Sequence, residues 1–522
     1  MRRRIPHRRR RPAVVTPRVP TQPELTAAAC ASGRPVLDAG RGQPDWIATV
    51  PRAAFFRLGA FAVTESAGRA TVDGDGYWGG IPDDTGIADR LAADLGDDPS
   101  FLRAAVDWVV TEFGVDPDAF VGELVRGVLG AGYPTPQRIL RHLELVMERY
   151  AVTVCGADAG PPGRFHVFAT EGGAAAMAYT FRTLRENGIL GTGDKIAIAS
   201  PVFTPYLKIP DLEHFGVEIV EVRAAHNAPY RFDEGILQVL RDPKIKAFVV
   251  INPGNPDTRA MRPERLREIR DIVAEHRPDL ILIADTVYAT FVDGFRGLLA
   301  EVPRNVICLH SFSKNFGATG NRLGFVAVAA DTALDTILSG LGDTARDAAA
   351  RRYSSVTADP RSLPFLERMV AESREVALHN IAGLATPDQV QMGLFALAHL
   401  MPDGARHAAT LRAELGRRHA ALLAPLGVPP AGGQDSQYYA LVDLLSVARV
   451  RHGADGADRL HALDPSELAV RLADAHGVVV LPGAGFDAAS WDVRVCLAAL
   501  PASDLRRIGE AIVTVLDELA AA

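Results

Sequence analysis

Between residues 165 and 329 the chain repeats one pattern seven times: a short, nearly continuous apolar run rich in β-branched residues. The runs are 165–169, 195–200, 217–222, 246–251, 280–284, 305–310 and 323–329. Segments with helical periodicity separate most of them, for example 173–187, 232–241 and 263–276. A strand that is apolar on both sides must be covered on both sides, and strands joined through helices run parallel. The pattern therefore predicts an α/β fold with a large domain built on a seven-stranded, mostly parallel sheet. Beyond about 365 helical patterns dominate (365–382, 386–402, 404–425), followed by strands near 437–443 and 477–481 and a last helix at 503–520. Residues 446–464 read as a loop. Residues 52–66 and 86–150 read mainly as helices, interrupted by a Gly- and Asp-rich stretch near 68–85. The expected division is an Arg-rich disordered tail (1–30) and an N-terminal part of a small domain (31–144) with a helical insertion at about 70–130. The large domain (145–365) and the C-terminal part of the small domain (366–522) follow, so that both chain ends build the smaller α/β unit.

Charge narrows the function class. The formal net charge is −7, and seven arginines lie within the first eleven residues. With those set aside the remaining chain carries −14, which argues against a nucleic-acid-binding body. No apolar run approaches the roughly 18 residues of a membrane span. Four widely spaced cysteines (Cys30, Cys155, Cys308, Cys496) show no metal-type pairing and read as reduced thiols of a cytoplasmic protein. No metal ligand set is expected.

Four motifs carry the chemistry, each following an apolar run. In Ser311-Phe-Ser-Lys-Asn-Phe-Gly-Ala-Thr-Gly-Asn-Arg322, Lys314 lies near a strand end, where α/β sheets place their sites. Its amine, among small and hydroxyl residues, is suited to a Schiff base with an aldehyde; an ordinary surface lysine is the alternative. With only five lysines against 51 arginines, such chemistry has few candidates. Asp285 ends another apolar run, where an unpaired carboxylate is costly. A protonated pyridine nitrogen would offset that cost and keep the ring electron-accepting; a helix cap or turn aspartate is the plainer reading. Tyr288, three residues on, is either within reach of a ring oxygen or a core tyrosine. Gly172 and Gly173 join a strand to a helix, whose free N–H groups bind phosphate. Asn255, in Ile251-Asn-Pro-Gly-Asn-Pro256, either donates to a ring oxygen or forms a turn.

The order and spacing of Gly-Gly, Asn-Pro, Asp-x-x-Tyr and Ser-x-Ser-Lys-(x)7-Arg resemble fold-type I pyridoxal-phosphate enzymes of the aspartate aminotransferase superfamily. Residues 39–48, 169–173, 200–207, 251–256, 385–392 and 485–494 narrow the resemblance to the aspartate 4-decarboxylase family. It runs from about 35 to 515 and includes the insertion near 70–130, which ordinary aminotransferases lack. The resemblance implies pyridoxal 5′-phosphate as cofactor and β-decarboxylation of L-aspartate to L-alanine and CO2, with aspartate aminotransferase side activity. The alternative is an aminotransferase of aspartate or a related acidic amino acid without productive decarboxylation.

By the same resemblance, Lys314 is the Schiff-base lysine and Asp285 pairs with the pyridine nitrogen. Asn255 and Tyr288 bond the ring oxygen, and Phe203 stacks on the ring. Gly172, Gly173, Ser311, Ser313 and Arg322 hold the phosphate, and Tyr133 reaches the neighbouring subunit's phosphate. Arg494 clamps the substrate α-carboxylate, with a surface ion pair as its alternative. Arg41 is a second carboxylate contact or a turn residue. A homodimer or a larger assembly of dimers is implied. Three positions depart from the family pattern: Asn315 and Asn321, where aromatic residues are usual, and Thr170, where valine is expected. They are expected to flank the site.

Overall fold

All seven apolar runs become strands of one sheet in the computed structural model, each within a residue or two of its expected span. The structure describes residues 19–521 apart from 70–71, 73–75, 98–99, 159, 212–215, 225–231, 233–234, 377, 379–382 and 431–433. In chain order the strands are β1 (Phe165–Thr170), β2 (Lys195–Ser200), β3 (Glu218–Arg223), β4 (Ile245–Ile251), β5 (Ile281–Asp285), β6 (Val306–Ser311) and β7 (Gly324–Ala329). Their order across the sheet is β1-β7-β6-β5-β4-β2-β3. Only β7 runs against its neighbours β1 and β6; the other pairs are parallel. The interior strands β6 and β7 are buried at every position. The edge strand β3 exposes Glu218, Glu221 and Arg223, charges that discourage pairing with another chain.

Parallel register brings the chemistry to one edge. Ile251, Asp285 and Leu309 stand side by side across β4, β5 and β6. Antiparallel pairing sets Thr170 and Ser311 on either side of Gly324. A Cβ at Gly324 would come within 2.8 Å of backbone atoms of both Gly172 and His310, so this crossing tolerates no side chain.

A second, antiparallel sheet of three strands sits over that edge: β8 (Tyr439–Asp443), β9 (Leu481–Pro482) and β10 (Asp492–Cys496), with β10 in the middle. The early segment Leu37–Asp38 pairs with Val478–Val479. Ala39 continues the tie, donating to the Val479 carbonyl and accepting from Cys496 N–H. Helices between 49 and 129 pack with Arg141–Val154 and Thr386–Leu400 against one face of the large sheet.

Two expectations need correction. Of the stretch expected to be disordered, residues 1–18 lie outside the described residues, while Gln22–Ala31 is a helix. Its Leu25 and Ala29 pack on Ala469, Ala473 and Val479, and Thr21 and Glu24 form a capping box. Residues expected to form the loop 446–464 belong largely to the helix Leu444–His461, bent at Gly453. The buried positions keep helical spacing on each side of that break, Leu444, Val447 and Ala448 before it and Ala457 and Leu460 after it, which the intervening glycines and charges obscured. Among the described residues, no helix is long and apolar enough to cross a membrane.

The Gly324 crossing yields a stability prediction. Gly324→Ala should destabilise the fold by about 1–3 kcal/mol, because overpacked backbone has to shift. Chemical denaturation of variant and wild type checks this.

Candidate active site

Between the carboxyl ends of β4–β6 and the small sheet lies a cavity of about 760 Å³. Its floor is Asp285. The carboxylate accepts the Val287 N–H at 3.0 Å and the Tyr206 hydroxyl at 2.8 Å. Burial raises its pKa to about 6, against the opposing effects of these two bonds and of the nearby Lys314 charge. Burial likewise pushes the Tyr206 hydroxyl well above its usual range.

Lys314 projects into the same space from the turn after β6 and donates to the Gly42 carbonyl at 2.6 Å. Trp46 Nε1 holds the lysine's own backbone carbonyl at 3.2 Å. The lysine is half-buried rather than free on the surface.

One wall of the cavity is an anion cradle. Gly172 caps the helix Gly173–Glu186 with φ 87°, a conformation that favours glycine, and a Cβ there would meet Arg322 Nη2 at 2.7 Å. The hydroxyls of Ser311 and Ser313 lie 3.0 Å apart. Arg322 itself has φ 55°, unusual for a side-chain-bearing residue, and its guanidinium is anchored on the Thr319 carbonyl at 2.8 Å. Helix N–H groups, two hydroxyls and a guanidinium in this arrangement suit a phosphate.

The opposite wall holds Arg494, only 4% exposed. Its guanidinium lies between the rings of Tyr439 and Phe486, at 4.3 and 4.4 Å from their centroids. Its hydrogen-bond partners are neutral: Asn255 Oδ1 at 3.2 Å and the Gly40 carbonyl at 2.6 Å. Its Nε has no partner, and no carboxylate among the described residues pairs with it. Arg494 is therefore not the surface ion pair that sequence left open. A buried cation without a counter-charge is costly, and an incoming carboxylate would supply one. Asn255 also donates to the Tyr288 hydroxyl at 3.3 Å, and that hydroxyl lies 3.1 Å from the hydroxyl of Tyr439.

Phe203 lines the cavity and is 40% exposed. Arg41 lines it too, with a largely exposed side chain 3.4 Å from Asp38. Tyr133 stands apart: it is 75% exposed and lines a separate, smaller cavity with Glu123 and Arg126. The three departing positions do not line the main cavity. Asn321 bonds Gln391 at 2.6 Å, Thr170 is buried against the Gly172 carbonyl, and Asn315 is buried with its carbonyl on Trp46.

Sequence reasoning missed Gly42, Trp46, Tyr206, Tyr438, Tyr439 and Phe486. Tyr206 follows Phe203 by three residues, and Tyr438 immediately precedes Tyr439 at the start of β8, but nothing local marks these tyrosines as different from core aromatics.

This architecture belongs to the α/β enzymes built like aspartate aminotransferase. A solved aspartate aminotransferase of Thermus thermophilus (a double mutant) matches with a TM-score of 0.59 at 20% identity, over 96% of this chain and 97% of that one. An aromatic aminotransferase of Pyrococcus horikoshii matches with a TM-score of 0.60 at 19% identity, over 95% and 99%. The chain is a member of the aminotransferase class I and II family, whose model matches residues 165–512. It is also similar to the bifunctional aspartate aminotransferase and L-aspartate beta-decarboxylase of a Pseudomonas species, 41% identical over 95% of this chain and 94% of that protein.

Asp285 yields a pH prediction. Its folded pKa of about 6 lies above the ordinary 3.8, so the folded state holds this proton more tightly than the unfolded chain. In the cofactor-free protein this lowers stability as pH rises from about 4 to about 6, with no further loss above. The decline is of the order of 3 kcal/mol. Asp285→Asn should abolish this part of the decline and be the more stable protein at pH 7, as read by thermal unfolding across that pH range.

Proposed function

We propose that the protein holds pyridoxal 5′-phosphate and removes the β-carboxyl group of L-aspartate as CO2, leaving L-alanine, with aspartate aminotransferase as a side activity. The observation that carries this reading is Arg494, a buried guanidinium without a carboxylate partner, facing the cavity that also holds the Lys314 amine. Similarity to the Pseudomonas protein along nearly the whole chain supports the choice of reaction.

When bound, the cofactor supplies an aldehyde that captures amines and a protonated ring that draws electrons from the carbon beside the captured nitrogen. Gly172, Gly173, Ser311, Ser313 and Arg322 are assigned to its phosphate, an anion that this cradle suits. Asp285, ionised above about pH 6, keeps the proton on the ring nitrogen, and that cation offsets the cost of burying the carboxylate. Asn255 and Tyr288 are assigned to the ring oxygen and Phe203 to the ring face. Lys314 would hold the cofactor's aldehyde through its amine, and that same amine is placed to take and return the Cα proton. Arg494 grips the α-carboxylate through two parallel N–H bonds, which fixes the Cα–H bond toward Lys314. Arg41, at the cavity mouth, is assigned to the distal carboxylate.

Tyr133, outside this cavity and exposed, is assigned to the phosphate of a neighbouring subunit, which makes a homodimer or an assembly of dimers the working unit. We assign the enzyme to the cytoplasm, in keeping with four unpaired cysteines.

Incubation of the purified protein with aspartate should release CO2 and alanine in equal amounts. Adding 2-oxoglutarate should yield a smaller flux of oxaloacetate. Oxaloacetate without CO2 would leave an aminotransferase. Lys314→Ala should lose the visible absorption band of the lysine-bound cofactor together with both activities. Arg494→Lys should lose about 10–100-fold in kcat/KM, since an ammonium cannot form the paired bonds.

A further inference from the structure

Tyr439 has no role in the reading so far, yet it stands where three parts of the site meet. Its ring packs on the Arg494 guanidinium at 4.3 Å, and its hydroxyl is 3.1 Å from that of Tyr288. Its third neighbour is Gly42. A Cβ on that glycine would lie 2.5 Å from the Tyr439 hydroxyl and 2.9 Å from Lys314 Nζ, so hydroxyl and amine flank one point. The ring is 2% exposed and packs edge-on against Tyr288 and Tyr438, which fixes the direction of the hydroxyl.

Stoichiometry asks for such a group. Conversion of aspartate to alanine and CO2 takes up one proton at the β-carbon. The Cα proton removed by Lys314 is returned to Cα, so it cannot supply this one. Ser311 and Ser313 are assigned to the phosphate and Tyr288 to the ring oxygen, while the Tyr206 and Tyr438 hydroxyls donate their protons to Asp285 and to the Gly42 carbonyl. Tyr439 is left, beside the lysine and above the carboxylate-binding arginine.

We propose that Tyr439 is a catalytic residue, the acid that protonates the β-carbon after CO2 leaves, and so favours decarboxylation over transamination. This rests on the decarboxylase reading above. The bond between the β-carbon and the distal carboxyl carbon breaks, and CO2 departs without the bonding pair. The β-carbon, left with that pair, forms a new C–H bond to the phenolic proton of Tyr439. The phenolate regains its proton from water by way of the Tyr288 hydroxyl. The overall change is redox-neutral, so no oxidant or reductant is consumed.

The test compares wild-type holoenzyme with Tyr439→Phe, measuring CO2 and alanine from aspartate, and oxaloacetate in the presence of 2-oxoglutarate. CO2 release should fall about 100-fold relative to oxaloacetate formation, the usual weight of a general acid. Succinate, an unreactive dicarboxylate, serves as a binding probe and should keep its affinity within about twofold. Tyr439→His supplies a second variant with an acid that titrates near pH 6.5. It should restore part of the CO2 release, with the high-pH limb of its profile moved toward that value. An unchanged ratio of CO2 to oxaloacetate in Tyr439→Phe overturns the proposal. So does a parallel loss of both products with loss of succinate binding, which marks a packing residue. A wild type that releases no CO2 sinks the decarboxylase reading itself, and this inference with it. A wild type that releases CO2 beside variants of unchanged ratio sinks this inference alone.

Discussion

A carboxylate at the end of a buried strand is the constraint around which this molecule is arranged. Asp285 closes β5 between Ile251 and Leu309, and burial there raises its pKa to about 6. A group so placed destabilises the fold unless neighbours favour its charged form. The Val287 N–H, the Tyr206 hydroxyl and the Lys314 charge each do so in part. None of them is a full counter-ion in contact with the carboxylate. The residual cost is what a bound cation can relieve, and it marks the floor of the cavity as a place for one.

The same logic holds at the opposite wall with the sign reversed. Arg494 is buried between two rings and bonded only to neutral oxygens. A pair of unbalanced charges, one anion and one cation, faces each other across a single cavity. The cationic ring and zwitterionic amino acid of the proposed reaction would meet both demands. The segment Gly40–Gly42 joins the two walls. Its Gly40 carbonyl holds Arg494, and its Gly42 carbonyl holds Lys314.

Much of this was legible before any coordinates. The seven apolar runs predicted their strands because both faces of such a sheet are covered, which leaves a strong signal in every strand. Sequence placed Lys314, Asp285, Gly172 and Gly173 at or just past the ends of such runs, and the structure brings that edge of the sheet to the cavity. The helix Gln22–Ala31 was hidden by a neighbouring run of arginines, although its apolar positions are few and its partners lie more than four hundred residues away. The helix Leu444–His461 was hidden by Gly453 and Gly456, which break the local signal without preventing burial of its apolar face. Asn315 and Asn321, expected with Thr170 to flank the site, adjoin Lys314 and Arg322 of the cavity lining, but none of the three lines the cavity itself, because side-chain direction cannot be read from proximity along the chain.

Sequence by itself determined the sheet, its connection pattern and the strand-end groups, because these follow from local periodicity and from residue types whose burial has few alternatives. Tertiary structure alone decided which groups meet. It set Tyr206 on Asp285, placed Tyr439 between Arg494 and Tyr288, and brought Gly42 onto Lys314 across 272 residues of chain. It also decided that Arg494 is an unpaired buried cation rather than half of a surface pair. The physical reason is that charge balance and hydrogen-bond reach depend on distances within a few ångströms. Closing long loops sets those distances, and no residue pattern along one segment records them.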